Sequence, residues 1–347
     1  MNLSKVSYFL ITLIAVVFIL IIGKGLLIPF VFAMLLWFCV NQTKGVLNKW
    51  TWAKNKLPSW FKSLLASFFL LFIISLISKV ISSSIAKLSV SYNTYKANAG
   101  DLLASVNTKF NIDIVSFIKG YSGEIEFGSI LSLLFNSISD LLSNSFMVVL
   151  YALFIFIEEA YFSKKMERII QDKTSYEKTS LIIQNINHSI ANYLGLKTLV
   201  SAITGILSYI ILAFIGIDSP IFWAFLIFIL NFIPTIGSLI GTLFPAIFCI
   251  LQFGDFTSGF LVLGLVGGVQ LLVGNIIEPK FMGNSMNISP LVAIISLSFW
   301  GAIWGITGMV ISVPITVVLI IVFSQFEHTK SLAIALSEKG EITGASK

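Results

Sequence analysis

Charge is what this sequence most lacks. Of its 347 residues 11% are Asp, Glu, Lys or Arg, while 57% are hydrophobic. A soluble domain carries roughly 25% charged residues, so a chain this poor in charge cannot cover a water-facing surface. Cysteine is scarce too. Cys39 and Cys249 both lie inside apolar runs, which excludes a disulfide framework or zinc spacing and leaves two small hydrophobes. The two histidines, His188 and His328, stand far apart without ligand-spaced companions, so no metal site is expected. The chain has no G-x-x-x-x-G-K-[ST] run, which argues against a nucleotide cofactor and against ATP-driven transport by this chain alone. Catalysis finds as little support. Both histidines sit in polar segments, and Asp218 and Asp255 stand at the edges of apolar runs. Neither a Ser-His pair nor an aspartyl dyad is therefore expected inside a membrane. The chain is read as a non-enzyme without cofactors. Its net charge of +6 comes from dispersed basic residues, with no aromatic-basic patch for nucleic acid.

What is present in abundance is long, charge-free apolar sequence. About 20 such residues suffice to cross the hydrocarbon of a bilayer. Val6–Gly23 and Gly25–Gln42 qualify, joined by Gly23-Lys24-Gly25; Ser63–Ser78, Leu141–Ile157 and Thr198–Ile217 follow. Lys5 before the first run imitates a signal peptide, but no small-residue cleavage site follows, so the run is read as a retained span. Ser219–Gly254 is too long for one span and is interrupted at Pro234-Thr235-Ile236-Gly237. Phe256–Ile277 is one further span, and Phe281–Phe326 is about two spans long, interrupted around Gly301–Gly305. The expected fold is all-α, a polytopic integral membrane protein of about eight transmembrane helices, broken or re-entrant in its C-terminal half.

The loops set the orientation. Thr43–Lys62 carries five lysines, no acid, and Trp50, Trp52 and Trp60, and is expected in the cytoplasm. Lys79–Asp140 balances five lysines with five acids and is expected outside; Glu158–Lys197, with the cluster Lys164, Lys165 and Arg168, is expected inside. Ile182, Ile186, Ile190 and Tyr193 recur at helical spacing and mark an amphipathic cytoplasmic helix. The resulting plan is three spans in 1–81, an extracytoplasmic amphipathic segment at 82–140, a fourth span at 141–162, the cytoplasmic helix at 163–197, a transmembrane transport region at 198–326 and a cytoplasmic tail at 327–347. Both termini are expected in the cytoplasm.

Function is best sought where the backbone breaks. Irregular backbone survives at membrane depth only where protein buries it or a cavity hydrates it, and interrupted apolar segments point to transporter sites. Asn231, Pro234, Thr235 and Gly237 form one such element, followed by Gly241 and Pro245. Gly301 and Gly305, followed by Gly308 and Pro314, form a loosely similar second one. Gly237/Gly241 and Gly301/Gly305 are also G-x-x-x-G pairs suited to close helix packing. Asn231 and Thr235 offer side-chain hydrogen bonds, Pro234 and Gly237 free backbone groups, and Gln270, Asn275, Glu278 and Pro279 are placed on the opposite wall of a translocation path. Glu278 is the main ionisable candidate inside the apolar region, with Lys280 as its nearest partner in sequence.

These stretches carry a resemblance. Asn231-Phe-Ile-Pro-Thr-Ile-Gly-Ser-Leu-Ile-Gly, Asn275-Ile-Ile-Glu-Pro-Lys-Phe-Met-Gly, Ser289-Pro-Leu-Val, Trp300-Gly-Ala-Ile-Trp-Gly-Ile-Thr-Gly-Met and Val313-Pro314 together resemble the autoinducer-2 exporter-like permeases of bacteria. The resemblance implies about eight transmembrane helices in the bacterial plasma membrane, homo-oligomeric assembly and transport without ATP hydrolysis. It implies export of a small autoinducer-2-type solute in some members and sodium or lithium/proton antiport in others. The scarcity of buried carboxylates favours a small, mostly neutral polar solute. A membrane scaffold that moves nothing is the remaining alternative.

Overall fold

A computed structural model describes residues 3–47, 90–110, 145–282, 288–338 and 340, with scattered positions between 61 and 88. Among the described residues there are helices and no strand. In chain order they are α1 (Leu3–Ile22), α2 (Lys24–Leu47), α3 (Tyr92–Phe110), α4 (Ser145–Ile169), α5 (Lys173–Ile215), α6 (Pro220–Leu230), α7 (Ile236–Phe253) and α8 (Phe256–Leu272). A π-helical turn (Val273–Ile277) leads from α8 into α9 (Glu278–Met282), followed by α10 (Pro290–Ser324) and α11 (Glu327–Leu336).

By length and apolarity, five of these stretches can cross a membrane: Lys24–Asn41, Lys173–Ile215, Ile236–Phe253, Phe256–Phe281 and Pro290–Ser324. A sixth is added if α4, bent by 62° between Glu159 and Tyr161, counts as one span. Among the described residues, then, five or six of the eight expected spans are accounted for. Leu10–Ile22 and Pro220–Leu230 are apolar but shorter, and the expected span Ser63–Ser78 lies largely outside the described residues, as does most of 82–140. Apolar side chains cover much of the surface: Tyr8, Ile11, Ile14, Phe18 and Ile22 of α1 are all exposed, which suits lipid and not water.

The chain folds into two compact units, each assembled from separated stretches. One contains 1–69, 143–196 and 282–347; the other contains 70–142 and 197–281. α5 contributes its first half to the former and its second half to the latter. At 43 residues it is about 64 Å long, and no break divides the expected cytoplasmic helix from the expected span at Thr198.

In the first unit α2 and α4 run parallel, since Phe30 meets Tyr151 edge to face and Trp37 Nε1 donates to Glu159 Oε2 at 2.7 Å, a nearly constant offset along the chain. The stripe of α5 is used here: Ile190, Tyr193 and Leu194 are buried with Phe38, Val313, Val317 and Ala333, and Ile186 packs at the edge. α10 looks like one 35-residue helix but doubles back. Gly305 takes φ 63° and ψ −145°. Residues 20 apart in a straight helix lie about 30 Å apart, yet the Ser296 and Thr316 hydroxyls share a hydrogen bond. The arms Pro290–Trp304 and Ile306–Ser324 are therefore antiparallel. Trp300 and Trp304 cap the fold, and Trp304 Nε1 donates to the Leu20 carbonyl at 2.9 Å.

The second unit is an antiparallel stack. Gly241 approaches Ile227 of α6 and Gln270 of α8; Gly267 faces Thr242 and Gly259 faces Ile250. α7 is thus the middle layer, its small residues admitting both neighbours. Between α7 and α8 the chain turns at Gly254, with φ 68°, and Asp255, whose carboxylate accepts the Ser258 N–H at 2.8 Å as an N-cap. α3 caps this end: Tyr95 stacks edge to face on the buried Phe248, and Asn98 Nδ2 donates to the carbonyls of Leu251 and Gln252.

A glycine contrast tests the doubled α10. A Cβ on Gly308 would collide with the Trp300 carbonyl, whereas one on Gly264 of α8 meets open space. Gly308→Ala is expected to cost about 1–3 kcal/mol through overpacking, seen as a lower Tm in detergent. Gly264→Ala should be neutral or stabilising by up to about 1 kcal/mol.

Candidate functional site

Two features of the second unit concentrate polarity and irregular backbone. The first is the turn between α6 and α7. α6 has 11 residues, about 16 Å, which is about half the thickness of bilayer hydrocarbon. It ends at Asn231, and the chain then tightens: the amides of Phe232 and Ile233 donate to the carbonyls of Ile229 and Leu230, three residues back. Pro234 has no N–H to satisfy. Thr235 takes φ 57° and ψ −53°, and the Ile236 N–H returns to the Pro234 carbonyl at 2.6 Å, closing a γ-turn. Positive φ in a β-branched residue is strained, and such strain clusters at functional sites. Gly237 follows because a Cβ there would overlap the Leu230 carbonyl.

The amide of Asn231 is buried and points back to α5, where Nδ2 lies 3.3 Å from both Ser201 Oγ and Thr204 Oγ1. These hydroxyls belong to a buried polar stripe, Lys197, Ser201, Thr204 and Ser208, whose spacing of three and four places it on one helix face. Gln270 of α8 is buried against Gly241, and among the described residues its Nε2 has no hydrogen-bond partner; neither has Ser208 Oγ.

The second feature is an ion pair. Lys197 Nζ binds Glu278 Oε1, with the lysine side chain 5% and the glutamate side chain 22% exposed. The π turn leads into it: the Glu278 N–H bonds to the Val273 carbonyl, five residues back, which rotates the following residues relative to a regular α-helix. Single π turns of this kind recur at functional sites. Glu278 is therefore partnered by Lys197, and not by its sequence neighbour Lys280.

The site residues read from the sequence divide accordingly. Asn231, Pro234, Thr235 and Gly237 form the turn, and Gly241 and Gln270 meet at the α7–α8 contact. Asn275 lies exposed within the π turn, and Glu278 and Pro279 open α9. Pro245 lies inside α7 and Pro314 inside α10. Gly301 packs on Met309, Gly305 is the pivot of α10, and Gly308 abuts Trp300. Lys197, Ser201 and Thr204 were not singled out from the sequence, although their helical spacing within an apolar run was a readable signal.

At the end of the unit where α3 sits, a further polar cluster appears. Tyr95 OH donates to Asp218 Oδ2 at 2.5 Å, the Asp218 N–H donates to Gln252 Oε1 at 2.6 Å, and Gln252 Nε2 donates to the Gly216 carbonyl at 2.9 Å. Burial, then the bond to Asp218, push the Tyr95 hydroxyl above the usual phenol range.

Long apolar helices with exposed apolar faces, doubled-back breaks and a buried polar stripe define a polytopic helical membrane protein. The sequence profile of the AI-2E family transporters matches residues 10–328, and the chain belongs to that family. A Haemophilus influenzae protein named only as a transport protein is 30% identical over 293 residues, 82% of this chain and 84% of its own length. A Borreliella burgdorferi protein named in the same way is 36% identical over 203 residues, 58% of this chain and 56% of its own. The AI-2 transport protein TqsA of Escherichia coli is 34% identical over 210 residues, 60% of each. The chain thus spans little more than half the length of the latter two. A sodium-lithium/proton antiporter of Halobacillus andaensis is 29% identical over 175 residues, 50% of this chain and 49% of its own.

A buried pair broken on one side leaves an uncompensated charge. Lys197→Met is expected to cost about 3–5 kcal/mol, and Lys197→Met with Glu278→Met to recover most of it. Thermal unfolding of the single and double variants in detergent checks this; additive losses would show that the two charges do not depend on each other.

Proposed function

We propose that the protein is a permease that moves a small, net-neutral polar solute of the autoinducer-2 type out of the cytoplasm without ATP hydrolysis. The buried neutral hydrogen-bonding groups carry this reading: Asn231, Ser201, Thr204 and Gln270 offer donors and acceptors but no net charge. The path runs beside the Pro234–Gly237 turn, with Asn275, Glu278 and Pro279 toward its inner end. The two broken elements act as hinges or packing points. The solute, membrane lipid and further copies of the chain are its partners. The membrane is the bacterial plasma membrane, with the tail inside and the 82–140 segment outside. The parallel pairing of α2 and α4 supports this orientation, because it brings their C-terminal ends, carrying Lys44 and the Lys164, Lys165 and Arg168 cluster, to one side, the cytoplasmic one by the excess of basic residues.

A second reading, sodium or lithium/proton antiport, is favoured by the Lys197–Glu278 pair, since an intramembrane carboxylate with a partner is the usual proton-handling device. Proteoliposomes loaded with labelled solute separate the readings. Under the permease reading Glu278→Gln retains most solute flux, and no sodium- or lithium-dependent proton movement is seen in the parent protein. Ion-dependent proton flux that disappears in Glu278→Gln would favour antiport, and absence of both fluxes would favour a scaffold.

The turn itself gives a sharper test. Pro234→Ala restores a backbone donor and favours a continuous helix by up to about 3 kcal/mol; Thr235→Gly relieves the positive φ. Both are expected in the membrane at normal amounts, with solute flux reduced at least tenfold for Pro234→Ala. Gly237→Leu is a poor probe, because its Cβ would overlap the Leu230 carbonyl and the fold would be lost with the function. Normal flux in Pro234→Ala would move the path away from this turn.

A further inference from the structure

The α3 end of the second unit contains a cavity of about 340 Å³ lined by Lys87, Val90, Ser91, Asp218 and Ser219. That size is at the small end of ligand pockets. Its walls are set by groups that the turn–helix site does not use. Asp218 Oδ2 is engaged by the Tyr95 hydroxyl, and the Ser91 carbonyl accepts the Tyr95 N–H one helical turn away at 3.2 Å. The Asp218 amide and the Gly216 carbonyl are both held by Gln252, so the loop is braced from behind. At the end of the loop Ser219 takes a left-handed conformation, φ 54° and ψ 55°, without a hydrogen bond from its side chain to the helix it precedes. Its Oγ is buried with no partner among the described residues. A non-glycine residue held at positive φ with an unspent hydroxyl resembles other strained positions at ligand sites.

We propose that this cavity is a second binding site, at the outer end of the solute path, for a small net-neutral polyhydroxylated solute. The inference deepens the permease reading and rests on it for the location of the path. The chemistry fits that class. Asp218 presents a carboxylate that accepts from hydroxyls, and Lys87 presents an ammonium that donates to them. Ser91 and Ser219 do either. One negative and one positive group cancel, so a charged solute gains from one and is repelled by the other, whereas a polyol satisfies both. Ser219 also begins α6, the arm that leads to the Pro234–Gly237 turn, so occupancy of the cavity bears on the base of that arm.

The experiment uses the full chain in lipid nanodiscs, with D-ribose as the polyol probe and acetate and choline as singly charged probes of each sign. Saturation-transfer NMR reads binding, and vesicle flux of labelled ribose reads transport. Ribose is expected to bind and the charged probes to bind at least tenfold more weakly. Ser219→Gly, which tolerates the left-handed backbone and removes the hydroxyl, should weaken ribose binding at least fivefold with an unchanged or higher Tm. Asp218→Asn should weaken it as much, and Lys87→Gln should admit choline. Ribose binding unaffected by all three changes, charged probes binding as well as ribose, or no ribose binding at all would each overturn the proposal. Binding that responds to the variants without flux in vesicles would leave the cavity standing and sink the permease reading. Flux with an unchanged KM in Ser219→Gly and Asp218→Asn would do the reverse.

Discussion

In hydrocarbon a backbone N–H or C=O has no water to turn to, and each group left unpaired costs several kcal/mol. The structure depends on how its breaks meet that constraint. Between α6 and α7 the amides of Asn231, Phe232 and Ile233 find carbonyls at the end of α6, those of Ile236 and Gly237 find carbonyls within the turn, and Pro234 brings no donor at all. The turn achieves this by tightening: bonds to the fourth residue back give way to bonds to the third, then to one spanning two residues at Thr235. The tightening needs Gly237, since the returning helix passes over the Leu230 carbonyl. At Gly305 the chain turns back on a single positive-φ glycine, and again a second glycine, Gly308, passes over a carbonyl of the first arm.

This is why the breaks were legible and their consequences were not. Proline and glycine act locally, so Pro234, Gly237 and Gly305 announce an interruption wherever the chain goes next. That the interruption at Gly305 folds two arms together depends on Ser296 finding Thr316 and on Trp304 finding the Leu20 carbonyl, and no local pattern encodes either. The partner of Glu278 is hidden from the sequence for a related reason. Lys280 is near in sequence, but the π turn carries Glu278 to Lys197, 81 residues away. A π turn has no sharp sequence signature, and Val-Gly-Asn-Ile-Ile reads as ordinary span.

α5 shows the opposite case. Its cytoplasmic and membrane portions were divided at Thr198 because polarity changes there. Polarity describes what surrounds a helix and not whether its hydrogen bonds continue. Only Gly195 interrupts the run of helix formers near that point, and a lone glycine costs about 1 kcal/mol, too little to end a helix packed on both sides of it. The same helix therefore supplies a hydrophobic stripe, Ile186, Ile190 and Tyr193, to one unit and a polar stripe, Lys197, Ser201, Thr204 and Ser208, to the other.

The polar stripe explains why the ion pair sits where it does. An isolated Lys197 in this setting would carry roughly 2.5–3.5 kcal/mol of insertion cost, and Glu278 a similar amount. Paired, they behave as one neutral group that ties the start of the membrane portion of α5 to the start of α9, just past the π turn. Asn231 makes a weaker tie one turn further along α5, at Ser201 and Thr204. Both attachments use side chains, and both fall next to backbone that has left regular α-geometry, the π turn in one case and the γ-turn in the other. Side-chain ties can be exchanged for contacts with a polar solute at little net cost, whereas backbone ladders cannot. Under the permease reading, the α6 arm, tied to α5 through Asn231 and bounded by the strained turn at Thr235, is a segment whose side-chain hydrogen bonds a passing solute would replace.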